Sequence, residues 1–297
     1  MKHPDYNSPA ELKSFLEENG MAMQKKFGQN FMINPTARKR IVDSLELSEG
    51  QSVWEVGPGL GCMTEEILSR GARLTAFEID RGFASLLHGF FENEEKNQRF
   101  SIVEGDVLKN WKGQIEKNRP EKLFGNLPYN IAATFIADTV SEGVTFDSCV
   151  FTVQKEVAER MVAKPGSKNY SVFSVLCQWK YDVSAGIELA PGNFWPRPNV
   201  ASESVLMKKK AGLESSTDHT TVPNADSKAF VQLVHALFSS RRKTLQNNIK
   251  PIMPQGLSTE DLFTQAGISG SERAENLNVG QFERLTELLV LARNQRK

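Results

Sequence analysis

Between Gln51 and Gln154, short apolar, β-branched runs alternate with stretches of helical spacing. Ser52-Val53-Trp54-Glu55-Val56 reads as a strand, Met63 to Ser69 as a helix, Arg73 to Ile79 as a strand and Gly82 to Phe91 as a helix. Strands at Phe100 to Val103, Lys122 to Gly125 and Ser148 to Val153 continue the series, with a helix at Ala132 to Thr139. Strands spaced by helices predict parallel βαβ units with right-handed crossovers, hence an α/β, doubly wound sheet. Ligands of such sheets lie at the carboxyl ends of the strands.

On either side of this block the pattern changes. Residues 1–24 are polar, with one amphipathic helix predicted over Pro9 to Glu18 and a break at Gly20, and read as an extension. After Met207, Lys208-Lys209-Lys210 leads into a stretch with little to bury, which predicts a linker over 208–225. Beyond it, Lys228 to Phe238, Ser258 to Ala266 and Val279 to Ala292 have helical spacing and are punctuated by Gly256, Gly267 and Gly270, so 226–297 reads as a small C-terminal all-α domain.

Composition narrows the classes. The 297 residues suffice for one sizeable core and a smaller second domain. Lys plus Arg and Asp plus Glu both number 36, so any surface for nucleic acid must come from local clustering. Cys62, Cys149 and Cys177 are few and far apart, which excludes a zinc or disulfide framework and fits a reducing, cytoplasmic compartment. No metal is expected, and no run approaches the roughly 18 apolar residues of a membrane span.

Chemistry gathers at the predicted strand ends. Gly57-Pro58-Gly59-Leu60-Gly61 follows the first strand, where glycines let a ligand approach the backbone and a helix N-terminus offers free N–H groups. Glu78 ends the second strand about 20 residues further on, where an acid can accept from both ribose hydroxyls. Asp106, after the third strand, can accept from an exocyclic adenine amine. These three features read as a site for an adenosine-bearing cofactor. Asn126-Leu127-Pro128-Tyr129 ends the fourth strand at the same edge. The Asn126 side-chain oxygen and the Leu127 carbonyl can accept from an amino-substituted base, with Pro128 fixing the turn and Tyr129 stacking on the ring.

Gly57-Pro58-Gly59, Glu78-Ile79-Asp80 and Asn126-Leu127-Pro128-Tyr129-Asn130 resemble the motifs of the ribosomal RNA adenine dimethylase family, S-adenosylmethionine-dependent adenine-N6 methyltransferases. Lys25-Lys26-Phe27-Gly28-Gln29-Asn30-Phe31 is similar to its N-terminal signature, and Phe194-Trp195-Pro196-Arg197-Pro198-Asn199-Val200, Arg241-Arg242-Lys243-Thr244-Leu245 and Arg273-Ala274-Glu275-Asn276-Leu277 to later blocks. The likeness is closest to the members that dimethylate two adjacent adenosines near the 3′ end of 16S rRNA in the 30S subunit. It departs from them at Asn199 and Ala201, where Lys and Asp are usual.

The resemblance implies a Rossmann-like class I methyltransferase sheet over 25–207, S-adenosyl-L-methionine as the methyl donor and a helical RNA-binding domain over 226–297. It also implies a cytoplasmic monomer with no membrane partner. Carried over residue by residue, Asn30, Met32, Gly57, Gly59, Glu78, Asp106 and Asn126 touch the cofactor. Asn126, Leu127, Pro128 and Tyr129 hold the target base, with Phe194 as a second stacking face. Lys25 and Lys26, beside Arg38-Lys39-Arg40, and Arg241, Arg242 and Lys243 are positive clusters able to track an RNA backbone. Other readings stay open: a methylase of large-subunit rRNA, a non-catalytic rRNA-binding assembly factor, and a methyltransferase of DNA adenine or a small amine.

Overall fold

A computed structural model describes residues 1–21, 29–211 and 225–295, with the side chains of Tyr129, Asn130, Ala225 and Asp226 outside the described set. The chain forms two compact units: Met1–Phe135 with Phe146–Ala158 and Ser184–Lys208, and Ile136–Thr145 with Glu159–Val183 and Lys209–Lys297.

In chain order the elements are α1 (Pro9–Glu18), β1 (Phe31–Met32), α2 (Pro35–Asp43), β2 (Ser52–Val56), α3 (Cys62–Ser69), β3 (Arg73–Glu78), α4 (Arg81–Phe90), α5 (Glu92–Lys96), β4 (Phe100–Glu104), α6 (Val107–Ile115), β5 (Lys122–Asn126), α7 (Tyr129–Ser141) and β6 (Ser148–Gln154). Then come α8 (Lys155–Met161), α9 (Val172–Lys180), β7 (Tyr181–Leu189), β8 (Phe194–Trp195), β9 (Ser202–Lys209), α10 (Ala225–Leu237), α11 (Leu245–Asn248), α12 (Thr259–Ala266) and α13 (Val279–Asn294). Side-chain caps start several helices. Asn34 accepts from the N–H groups of Thr36 and Ala37 ahead of α2, Asp80 from Gly82 and Phe83 ahead of α4, and Asp106 from Leu108 ahead of α6.

Seven strands form one sheet in the order β4-β3-β2-β5-β6-β9-β7. β2 to β6 are parallel, as the alternation predicts. Every residue of β2 is buried, which explains its mainly apolar signal, broken by Ser52 and Glu55. The sheet is not wholly parallel: β9 runs antiparallel to β6, pairing Ser148 with Lys208 through Gln154 with Ser202. β7 is largely exposed, and its polar residues carry little strand signal in the sequence. The strand order reverses at β2, between β3 and β5, and this switch point opens a crevice at the carboxyl edge.

The N-terminal segment is part of the first unit's core. Tyr6, Leu12 and Leu16 are buried in one cluster with Phe31, Leu60 and Phe90. The second unit gathers α9 with the C-terminal helices. Trp179 of α9 stacks on Phe230 of α10 at 3.7 Å between ring centroids and donates its indole N–H to Glu283 of α13 at 2.8 Å. Burying an indole with its N–H satisfied favours this assembly over an isolated C-terminal bundle. Within the predicted linker, 208 and 209 belong to β9 and 212–224 lie outside the described residues. No helix among the described residues is long and apolar enough to cross a membrane.

Candidate active site

The ends of β2, β3, β4 and β5 surround a cleft with about 1110 Å³ of empty space, its open mouth included, room enough for a nucleoside-sized ligand. Glu78, buried at the end of β3, organises one wall. Its Oε2 accepts the Gly59 N–H at 3.0 Å and its Oε1 the Asp80 N–H at 2.8 Å. Burial raises its pKa above the usual carboxylate range, and the N–H groups of Asp80 and Gly59 oppose that shift. Gly59 is required here: its φ is +58°, and a Cβ would lie 2.9 Å from the Phe31 ring.

Asp106 uses Oδ1 to accept the Leu108 N–H at 3.0 Å, leaving Oδ2 with no partner among the described residues. Half-buried Asn126 ends β5 and donates from Nδ2 to the Asn30 carbonyl at 3.2 Å. That bond assigns the amide orientation and turns Oδ1 away from Asn30. Pro128 immediately precedes α7, its carbonyl accepting the N–H groups of Ile131 and Ala132.

Of the residues named from sequence, Asn30, Gly57, Gly59, Glu78, Asp106, Asn126, Leu127 and Pro128 line this one cleft. Met32 and Phe194 do not. Both are buried and lie opposite each other where β1 pairs with β8. The Phe194 side chain, expected to offer a second stacking face, is 4% exposed here and packs in the core with Phe31. The Tyr129 side chain, Lys25 and Lys26 lie outside the described set.

The positive clusters also divide. Arg38 is 7% exposed and donates to the Met32 carbonyl and to Asn7 Oδ1, so it is structural. All three of Arg241, Arg242 and Lys243 are exposed, and Arg241 donates to the Lys168 and Tyr170 carbonyls and pairs with Glu275.

Sequence reasoning missed Glu55 and Ile79, both on the cleft wall. Glu55 is 1% exposed, accepts from the Thr64 hydroxyl at 2.7 Å, and has its pKa pushed up to about 8, chiefly by burial. Its Oε1 has no partner among the described residues. An acid in the middle of an apolar strand was the available signal. Ile79 is 47% exposed, an apolar side chain left open where a flat ring could rest.

Fold and crevice together define a class I S-adenosylmethionine-dependent methyltransferase. The same fold is seen in a dimethyladenosine transferase from Plasmodium falciparum (TM-score 0.69, 22% identity, 89% of this chain and 97% of that one) and in the 23S rRNA methyltransferase ErmE (TM-score 0.59, 24% identity, 86% and 98%). The chain belongs to the ribosomal RNA adenine dimethylase family, whose model matches residues 20–290. It is 48% identical over 290 residues to the ribosomal RNA small subunit methyltransferase A of Treponema denticola, covering 96% of each chain. The protein of that name from Treponema pallidum is 41% identical over 291 residues, covering 96% of this chain and 98% of its own.

The residues present fit S-adenosylmethionine. Glu78 retains lone pairs for a ribose, Asp106 a free oxygen for an adenine amine, and the loop at Gly57 and Gly59 an open backbone. Among the described residues no group of three or more His, Cys, Asp or Glu side chains could hold a metal.

Proposed function

We propose that this chain dimethylates N6 of two adjacent adenosines near the 3′ end of 16S rRNA, within the 30S subunit, as a monomeric cytoplasmic enzyme. The observation that carries this reading is the Asn126 amide, held by Asn30 so that its oxygen is available to a target amine at the edge of the cofactor cleft. The small-subunit name shared by relatives up to 48% identical supports the choice of RNA.

When bound, S-adenosylmethionine supplies an electrophilic methyl. Glu78 and Asp106 hold its adenosine half, with Gly57, Gly59 and Asn30 shaping the wall beside it. Asn126 Oδ1 and the Leu127 carbonyl accept the two N–H groups of the target amine, which aims the nitrogen lone pair into the cleft. Tyr129 stacks on the flipped base. No dedicated base is needed, because the amine proton becomes acidic only after transfer and leaves to water. Arg242 and Lys243 supply phosphate contacts on the helical unit.

The test is incubation with methyl-labelled cofactor and 30S subunits lacking the modification, followed by mapping of the labelled nucleotides. Label in two adjacent adenosines of the 3′ helix is expected. Label confined to large-subunit rRNA, or none where a known homologue works, refutes the assignment.

A further inference from the structure

We propose that Tyr6, Asn7 and Arg38 form a clamp that sets the cofactor loop and the adjoining segment 29–34, making the N-terminal residues a positioning element of the active site. Tyr6 is 4% exposed, and its O–H donates to the Leu60 carbonyl at 2.7 Å. Leu60 lies inside the Gly57–Gly61 loop. The first bond of α3 runs from the Glu65 N–H to the Gly61 carbonyl, so the Leu60 carbonyl falls one residue short of the helix. A buried carbonyl needs a donor, and Tyr6 provides it from 54 positions away.

Arg38 fixes the other wall. Its Nη1 donates to the Met32 carbonyl at 2.8 Å and its Nη2 to Asn7 Oδ1 at 2.7 Å, with the guanidinium 6.0 Å from the Tyr6 ring centroid. A buried guanidinium persists only with such acceptors. Met32 adjoins Phe31, whose ring crowds Gly59, and Asn30, whose carbonyl orients Asn126.

The segment has further anchors, one of which reaches the clamp itself: His3 Nδ1 lies 3.2 Å from the Tyr6 hydroxyl. The N-terminal amine donates to the Gly89 carbonyl at 2.8 Å, and His3 Nε2 lies 3.2 Å from the Phe90 carbonyl, both at the C-terminal end of α4, where positive charge is favoured. Loop and segment 29–34, which both line the cleft, are therefore tied to one pair of adjacent residues.

The full chain carrying Tyr6→Phe, Asn7→Ala or Leu16→Ala tests this. Leu16→Ala removes buried bulk from α1 without touching the clamp. Amide hydrogen exchange of the loop without ligand, and calorimetric affinity for S-adenosylhomocysteine, are read alongside Tm. Tyr6→Phe is expected to speed loop exchange and weaken binding by about tenfold each, with the kinetic change in KM for cofactor rather than in kcat. Leu16→Ala, at an equal or larger loss of Tm, is expected to leave both nearer wild type. Equal effects from Leu16→Ala reduce the clamp to general stability and overturn the proposal, as do wild-type values in a folded Tyr6→Phe. Should Tyr6→Phe fail to fold, Asn7→Ala, at an exposed position, decides by the same criteria. The affinity arm rests on the cofactor reading of the cleft. If wild type fails to bind the homocysteine compound, that reading fails, and loop exchange still judges the clamp.

Discussion

The side-chain amide of Asn126 donates to the backbone carbonyl of Asn30 at 3.2 Å, joining the end of β5 to the segment just before β1. The two residues are 96 positions apart, and the bond uses the half of the amide that a target amine does not need. Orientation of the acceptor oxygen is therefore built in before any base arrives, which is where proximity effects gain most.

Asn126→Asp tests that orientation with almost no change of volume. A carboxylate has no N–H for the Asn30 carbonyl, so one oxygen faces another and the side chain turns. Turnover is expected to fall by about 100-fold or more, in the range seen when one positioned polar group is lost, while affinity for S-adenosylhomocysteine changes little. Single-turnover methylation of 30S subunits beside calorimetry separates the two; wild-type turnover would remove Asn126 from its assigned role.

Gly59→Ala should act on the cofactor instead. At φ +58° the added methyl is strained, and its contact at 2.9 Å must displace the Phe31 ring, which itself packs edge-on against Phe83 at 5.7 Å between centroids. Affinity for S-adenosylhomocysteine is expected to fall about tenfold or more, from roughly 1–2 kcal/mol of strain and wall movement. Gly113→Ala is the control. That helical glycine has nothing within 4 Å of the new carbon, so stability is expected to stay level or rise. Unchanged affinity in Gly59→Ala would count against a ligand at this loop.

Parallel strands β2, β3, β5 and β6 were legible because burial on both faces leaves a mostly apolar run, whereas edge strand β4 is only partly buried and followed from its place in the alternation. The burial of Tyr6, Leu12 and Leu16 was not legible. They sit singly in a polar stretch, and what covers them lies far along the chain. Arg38 shows the same limit: beside Lys39 and Arg40 it reads as a surface charge, yet its partners are the Met32 carbonyl and Asn7. Local composition records neither a long-range acceptor nor the face of a helix that finds it. Phe194 meets a related limit, since a loop aromatic and a core aromatic differ only in what packs over them.

Arg241 and Arg242 are adjacent in sequence and opposite in expected effect. The Arg241 guanidinium stitches the Lys168 and Tyr170 carbonyls to Glu275, whose own carbonyl accepts the Gly166 N–H at 2.7 Å. It is about half exposed, so solvent screening limits its contribution to about 1 kcal/mol, and Arg241→Ala is expected to lower Tm by roughly 2–4 °C. Arg242→Ala should leave Tm alone and reduce the slope of log affinity for rRNA against log salt by about 1, as for one lost phosphate contact. A change of slope without a change of Tm in Arg241→Ala would reverse these roles.

Glu55 makes the last prediction, in which the sign matters. Burial pushes its pKa up to about 8 from an ordinary value of 4.5; the Thr64 hydroxyl opposes the shift and the nearby Glu78 charge adds to it. Between those two pH values the folded chain keeps a proton that the unfolded chain has released, so stability falls as pH rises across that window. Below pH 4.5 both states hold the proton and the penalty vanishes; above about 8 both have lost it and the penalty is complete. Glu55→Gln keeps an oxygen for the Thr64 hydroxyl and carries no charge at any pH. Its Tm minus that of wild type should therefore be near zero at pH 5 and grow steadily to pH 8. Glu78 also has a raised pKa, so neither curve is flat alone, and the difference between the two is the quantity to measure. Parallel Tm curves over that range would mean that Glu55 is ionised in the folded chain throughout, and that the interior beside the cofactor loop is more polar than its burial implies.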